Sequence, residues 1–128
     1  MTVAYVDTSC LVAIAFDEAG NAKVAARLRK HERLLASDLI EAELRAAFSR
    51  ESVAQELAAP LLDTVARVRP NRGLSAELQR VLAAGHLCGA DLWHVACALF
   101  VAPEPADLVF ETLDARQRQV AAKLGFST

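Results

Sequence analysis

The sequence predicts an α/β sandwich of three layers: a central parallel sheet of four to five short strands flanked by helices. Two observations predict it. Segments with strand and helix patterns alternate along the chain. Each strand segment is also a near-continuous apolar run, the mark of a strand buried on both faces. With 128 residues, 54% of them hydrophobic, the chain has length for one sizeable core and reads as a single domain over residues 1–128. Much of that apolar content is alanine, which favours helices and their close packing.

The elements follow in order. Val3–Val6 reads as a buried strand, and a short helix is expected from about Ser9 to Phe16. Asn21 has the character of an N-cap for Ala22–Lys30, whose apolar stripe is Val24, Ala25 and Leu28. Arg33–Ala36 is a second strand. Asp38 and Glu41 have capping-box spacing for a helix running to about Arg50, and Ser52 and Gln55 repeat it for a helix that Pro60 kinks or divides. Val65–Arg69 reads as a third strand, closed by the turn residues Pro70, Asn71 and Gly73. Helices are expected over Ser75–Ala84 and Asp91–Ala102, the second apolar almost all round and stopped by Pro103 and Pro105. Leu108–Thr112 is the last clear strand. Ala115–Leu124 is the last helix, with Gly125 as its C-cap.

Composition excludes several function classes. The opening apolar block has no basic flank, is split by Asp7 and runs into Asp17 and Glu18, so it is not a secretion signal. No uninterrupted apolar stretch has the length of a membrane span, and a cytoplasmic protein is expected. Cys10, Cys88 and Cys97 lack C-x-x-C spacing and are odd in number. They read as small buried apolar residues rather than ligands or a disulfide framework. A formal net charge of −2 gives the chain no overall attraction for polyanions.

Four carboxylates stand where a packed α/β chain must account for them. Asp7 ends the first strand, where ligands bind in open parallel sheets; a helix cap is the rival role, with Thr8 and Ser9 able to serve instead. Glu43 lies one turn from both Ile40 and Ala47 and borders the inward face of its helix, although it could also snorkel to water or pair with Arg50. Asp91 opens a helix at the end of the buried stripe Val95, Ala98 and Ala102. Asp114 follows the last strand, and Gln117 completes a D-x-x-Q capping box with it. If these four acids converge, they repel one another and their pKa values rise. Divalent metal ions resolve that conflict, and oxygen ligands without Cys or His select Mg²⁺ or Mn²⁺ over Zn²⁺. Two such ions support hydrolysis of phosphodiesters and offset the repulsion of a polyanionic substrate.

At this point the chain resembles the PIN domain and, within it, the VapC-like toxins of bacterial toxin–antitoxin pairs. The matching pieces are V-D-T-S at Val6–Ser9, E-A-E-L-R at Glu41–Arg45, A-D-L-W-H-V-A-C-A-L at Ala90–Leu99 and T-L-D at Thr112–Asp114. They stand in the family's order and span most of the chain. The resemblance implies a metal-dependent endoribonuclease with one or two Mg²⁺ or Mn²⁺ ions. Asp7 and Asp91 are then the principal ligands, and Glu43 and Asp114 complete the site directly or through water. Ser9 and Thr112 match positions that support the site by hydrogen bonds to the carboxylates or to a metal-bound water. A small antitoxin occluding the site, and a homodimer, are implied as well. The family often has a final strand after the last helix. Here only G-F-S-T follows it, so that edge is expected to be minimal or absent. Glu111 adds an acid nearby, which strand alternation turns away from the face of Thr112.

His94 stands three residues after Asp91, but the resemblance gives it no ligand role, and it reads as a packing or hydrogen-bonding residue. His31 and His86 sit at helix ends, where positive charge is favoured. Trp93 reads as core or dimer interface. Arg45, Arg50, Arg72, Arg116 and Arg118 are candidate phosphate contacts, with Arg45, Arg50 and Arg116 carried forward as substrate-binding. Rival readings are a housekeeping RNA-processing nuclease of the same fold and a non-catalytic binding module. Phosphotransfer folds with an aspartate after strand one need D-x-D, or extra acids and a late-strand lysine, which this chain lacks.

Overall fold

The computed structural model describes residues 2–16 and 20–128; Asp17 and Glu18, which close the first apolar block, lie outside them. Val3–Val6 forms β1, and its neighbours assemble on both sides of it. Helices α1 (Thr8–Ala15) and α2 (Asn21–Arg29) lead to β2 (Arg33–Ser37). Helix α3 (Ile40–Arg50), a 3₁₀ turn (Gln55–Leu57) and α4 (Ala58–Leu62) lead to β3 (Ala66–Val68). The chain then passes through α5 (Ser75–Ala84) and α6 (Gly89–Val101) to β4 (Val109–Glu111), and α7 (Ala115–Leu124) follows.

All strand pairs are parallel and the sheet order is β3-β2-β1-β4. The chain therefore builds outward from β1 in one direction, then returns to its other side with β4. That reversal lies between β1 and β4, and it opens a crevice beyond their carboxyl ends. After β4 the chain adds one parallel bridge, Val109 with Ser127.

Side chains alternate across the sheet and supply two cores. Val3, Tyr5, Leu35 and Phe110 face a core shared with α5, α6 and α7, and Tyr5 stacks on Phe110 at 5.7 Å between ring centroids. Val6, Leu34 and Ala36 face the other core, with α1 to α4. This is the expected sandwich. Helix α6 buries six consecutive residues, His94 to Leu99, and is enclosed almost all round, as its composition predicts. Among the described residues, no single helix is long and apolar enough to cross a membrane; α5 and α6 pass such a test only as a pair bent by 110°.

Several local expectations differ. Helix α2 opens at Asn21 itself, with Gly20 in the cap position at φ 86°, a conformation glycine adopts without strain. Asp38 and Glu41 form no capping box. Asp38 accepts from the Trp93 indole at 3.0 Å, and Ser37 Oγ takes the Leu39 N–H at 3.0 Å instead. Glu41 pairs with Arg45 at 2.7 Å and Arg67 at 2.6 Å. Ser52 caps nothing and has φ 55°. Pro60 sits in the first turn of α4, and the division falls one turn earlier, between the 3₁₀ turn and α4. The cause is its missing N–H, which leaves the Glu56 carbonyl without an α-helical donor. Cys10 and Cys97 are buried, but Cys88 is exposed, because it precedes α6 in extended backbone outside the core.

Candidate active site

Asp7 leaves β1 where the crevice opens. Its N–H extends the ladder to Glu111 O at 2.9 Å, and its backbone (φ −76°, ψ 152°) caps α1. The two carboxylate oxygens divide their roles. Oδ2 accepts the Ser9 N–H at 3.0 Å, which is the cap. Oδ1 accepts from Gln117 Nε2 at 3.2 Å and lies 3.8 Å from His94 Nε2. Helix cap and site carboxylate are therefore compatible at this residue.

Glu43 approaches from α3, between the buried Ile40 and Ala47, with its side chain 32% exposed. Its Oε1 accepts from Thr8 Oγ1 at 2.7 Å and from His94 Nε2 at 2.5 Å. Burial pushes this carboxyl up, but the hydrogen bonds from His94 and Thr8 outweigh burial and hold it below its ordinary value. His94 is fully buried. Burial disfavours its charged form, yet the hydrogen bond to Glu43 and the charge of Asp7 prevail and raise its pKa. Among the described residues its Nδ1 has no partner.

Asp91 stands in the first turn of α6. Its carboxyl is raised, first by burial, then by the charges of Asp7 and Asp114; His94 opposes this and Glu43 adds to it. Asp114 caps α7, its Oδ1 taking the Gln117 N–H at 2.7 Å. Thr112 Oγ1 accepts the Asp114 N–H at 3.1 Å, donates to Gln117 Oε1 at 2.6 Å and lies 3.4 Å from Ser9 Oγ. Ser9 Oγ in turn accepts the Leu113 N–H at 3.1 Å. Asp7, Glu43, Asp91 and Asp114, with Ser9 and Thr112, thus come to one end of the sheet.

The arginines are distributed differently. Arg45 holds Glu41 and the side chain of Gln55, Arg50 pairs with Glu51 at 3.4 Å, and Arg116 donates to His86 O at 3.3 Å. Arg118 donates to Thr112 O at 2.6 Å, two residues before Asp114. Glu111 turns to the far side of β4, buried against Arg27 at 2.7 Å. A cavity of about 630 Å³ opens elsewhere, between α1, α2 and the starts of β2 and β3, and includes none of the four acids.

Gln117 was legible in the sequence only as half of a capping box. Its main chain does serve that cap, but its fully buried amide reaches Asp7 and the Asp91 carbonyl, the latter at 3.3 Å. The His94–Glu43 contact joins residues 51 apart in the chain. The local D-x-x-H spacing gives no sign of that partner.

Among the described residues, no three His, Cys, Asp or Glu side chains close into a ready cage for a metal ion. The donor chemistry nevertheless fits a hard cation. The groups around the crevice are carboxylates, and Asp7 and Asp114 stand close enough to Asp91 to raise it. Mg²⁺ keeps several of its own waters and needs only one or two direct carboxylates.

Comparison with known proteins agrees with this geometry. No curated protein matches the chain. A family model described as PIN domain matches residues 4–123, from β1 into α7, and so takes in all four acids. PIN domains are in general metal-dependent nucleases. Sheet order, crevice and family model coincide on the same residues, and the chain belongs to the PIN domain family.

Proposed function

We propose that this chain is a Mg²⁺- or Mn²⁺-dependent endoribonuclease, acting as a single domain over residues 1–128 and as the toxin of a toxin–antitoxin pair. The observation that carries the reading is the gathering of carboxylates at the crevice, where Gln117 ties Asp7, the first turn of α6 and Asp114 together and where burial, then the charges of Asp7 and Asp114, raise Asp91. Carboxylates held together against repulsion are what a cation site needs, and a purely structural cap needs only one of them.

Asp7 and Asp91 hold the metal, one or two ions, and Glu43 and Asp114 complete the site directly or through water. The bound metal supplies Lewis acidity and an activated water for attack on the phosphodiester. The chain's own groups prepare that chemistry. Ser9 N–H fixes one oxygen of Asp7, and Thr8 and His94 fix one oxygen of Glu43. The hydroxyls of Ser9 and Thr112 tie the end of β4 to the start of α1. Arg45, Arg50 and Arg116 are assigned to the RNA backbone, each exchanging its present partner for a phosphate. A small antitoxin covers the crevice, the toxin works as a homodimer, and the pair acts in the cytoplasm.

The test is cleavage of RNA by purified protein with Mg²⁺ or Mn²⁺, beside an EDTA control and the Asp7→Asn variant. Internal cuts that need the metal and Asp7 support the reading; full cleavage by Asp7→Asn, or in excess EDTA, overturns it. Growth arrest on induced expression, relieved by a small protein encoded next to the gene, supports the toxin role. Cleavage without growth arrest assigns a housekeeping nuclease instead.

A further inference from the structure

We propose that Gln117 is the positioning residue of this site, a neutral amide that sets the spacing of its acids without cancelling their charge. The inference rests on the metal-nuclease reading above.

Gln117 is fully buried, and its bonds determine which way its amide faces. A flipped amide would set its oxygen against Asp7 Oδ1 and the Asp91 carbonyl, both acceptors, so Oε1 instead faces Thr112 Oγ1, which donates to it at 2.6 Å. The Gln117 oxygen is therefore the acceptor, and the NH₂ faces the crevice. One N–H goes to Asp7 Oδ1 at 3.2 Å and the other to the Asp91 carbonyl at 3.3 Å. The main-chain N–H of the same residue holds Asp114 Oδ1 at 2.7 Å. One side chain and its own backbone thus bond to the end of β1, the first turn of α6 and the cap of α7, the three places from which Asp7, Asp91 and Asp114 arise.

The residue type matters. A lysine or arginine at this point neutralises Asp7 and competes with a cation, whereas a carboxylate sets a second acceptor and a second negative charge against Asp7 Oδ1 and the Asp91 carbonyl. An amide donates twice and carries no charge. It is the second layer of a metal site, where hydrogen bonds orient the ligands and are worth about 10–100-fold in metal affinity or activity.

The experiment compares wild type with Gln117→Met, which keeps side-chain length but loses both donors and the acceptor. Mn²⁺ binding is measured by calorimetry and RNA cleavage as a function of Mn²⁺. The expected result is about tenfold weaker Mn²⁺ binding, with cleavage lost at low Mn²⁺ and recovered at saturation. A purely structural role lowers cleavage at every Mn²⁺ concentration with no recovery, and that result overturns the proposal, as does wild-type Mn²⁺ affinity in the variant. A second measurement needs no variant to fold: the Gln117 side-chain NH₂ resonances of wild type shift on addition of Mg²⁺, and unmoved resonances overturn the proposal. Wild type that neither binds Mn²⁺ nor cleaves RNA overturns the nuclease reading itself. Wild type that does both, beside an indistinguishable Gln117→Met, overturns only the role of Gln117.

Discussion

Glu43 and Asp91 are both partly buried acids on helices that face Asp7, yet the protein treats them in opposite ways. Glu43 receives a hydroxyl and an imidazole on one oxygen and is held below its ordinary value. Asp91 is held above it, first by burial and then by the charges of Asp7 and Asp114. One side of the crevice is compensated from within by the hydrogen bond of His94 to Glu43; on the other side His94 offsets only part of the burial and negative charge that raise Asp91. A site that binds a cation needs both: a firm wall, and an unsatisfied charge to attract the ion.

The largest expected effect comes from removing that unsatisfied charge. Asp91→Asn is expected to lower metal-dependent RNA cleavage by more than about a hundredfold, beyond the range set by residues that only orient ligands. In EDTA the same variant is expected to melt at a higher temperature than wild type, by about 2 °C, because a repelled charge has been replaced by a neutral amide. Calorimetry and a cleavage assay on one preparation check both signs. A variant that is less stable in EDTA breaks the comparison.

Next in size is the compensated side. His94→Leu leaves Glu43 facing the core without its cation and is expected to cost about 2–4 kcal/mol in urea unfolding. That is somewhat less than for a fully buried pair, because Glu43 is 32% exposed. Adding Glu43→Leu to His94→Leu should recover part of the loss, since both polar partners then leave together.

The pH dependence in metal-free protein separates the two acids by sign. The folded pKa of Asp91 lies above its ordinary 3.8, so its ionisation penalises the folded state at neutral pH. The stability advantage of Asp91→Asn should shrink as pH falls through that raised value and vanish below 3.8. Glu43 is depressed below 4.5, and its contribution is present above that value and lost as pH falls through the depressed one. His94 is raised above 6.5, and its contribution is present below that value and lost as pH rises through the raised one. Urea unfolding across pH 3–9, wild type beside the two variants, should therefore show the His94 effect largest between those limits.

The smallest effect concerns the thiols. Burial, with the charges of Asp7 and Glu111 behind it, pushes Cys10 up to about 12, and burial pushes Cys97 to about 12 as well. Cys88 is exposed, three positions before Asp91. Native protein should show one fast-reacting thiol with Ellman's reagent and three after denaturation. Two fast thiols would mean that the wall beside Asp7 is looser than its packing indicates.

The parts of this molecule that sequence alone reveals are those governed by neighbours along the chain. Buried parallel strands are mostly apolar, so β1, β2 and β4 are visible as runs, with Arg33, Ser37 and Glu111 at the ends of β2 and β4. Asp7 and Asp114 are visible because a cap and a strand end fall on the same residue. What stays hidden depends on partners far away. Asp38 has the spacing of a cap, but Trp93, 55 residues on, takes its carboxylate. Gln117 completes a local pattern, while its amide is directed at Asp7, 110 residues earlier. Glu43 could be placed at the border of a buried face, but its imidazole partner could not be read from helical spacing.

The strand order also sets a sequence in time. As the chain is synthesised, β1, β2 and β3 can pair early with their acids Asp7 and Glu43 in place, and Asp91 follows on α6. The neighbour that closes the other side of β1 comes last, and with it come Thr112, Asp114 and Gln117. A growing chain thus carries Asp7 and Glu43 well before His94 compensates Glu43, and before the residues that gather the carboxylates. If the crevice cuts RNA, the nascent protein is inert towards the ribosome and message that are making it until nearly all of the fold has emerged.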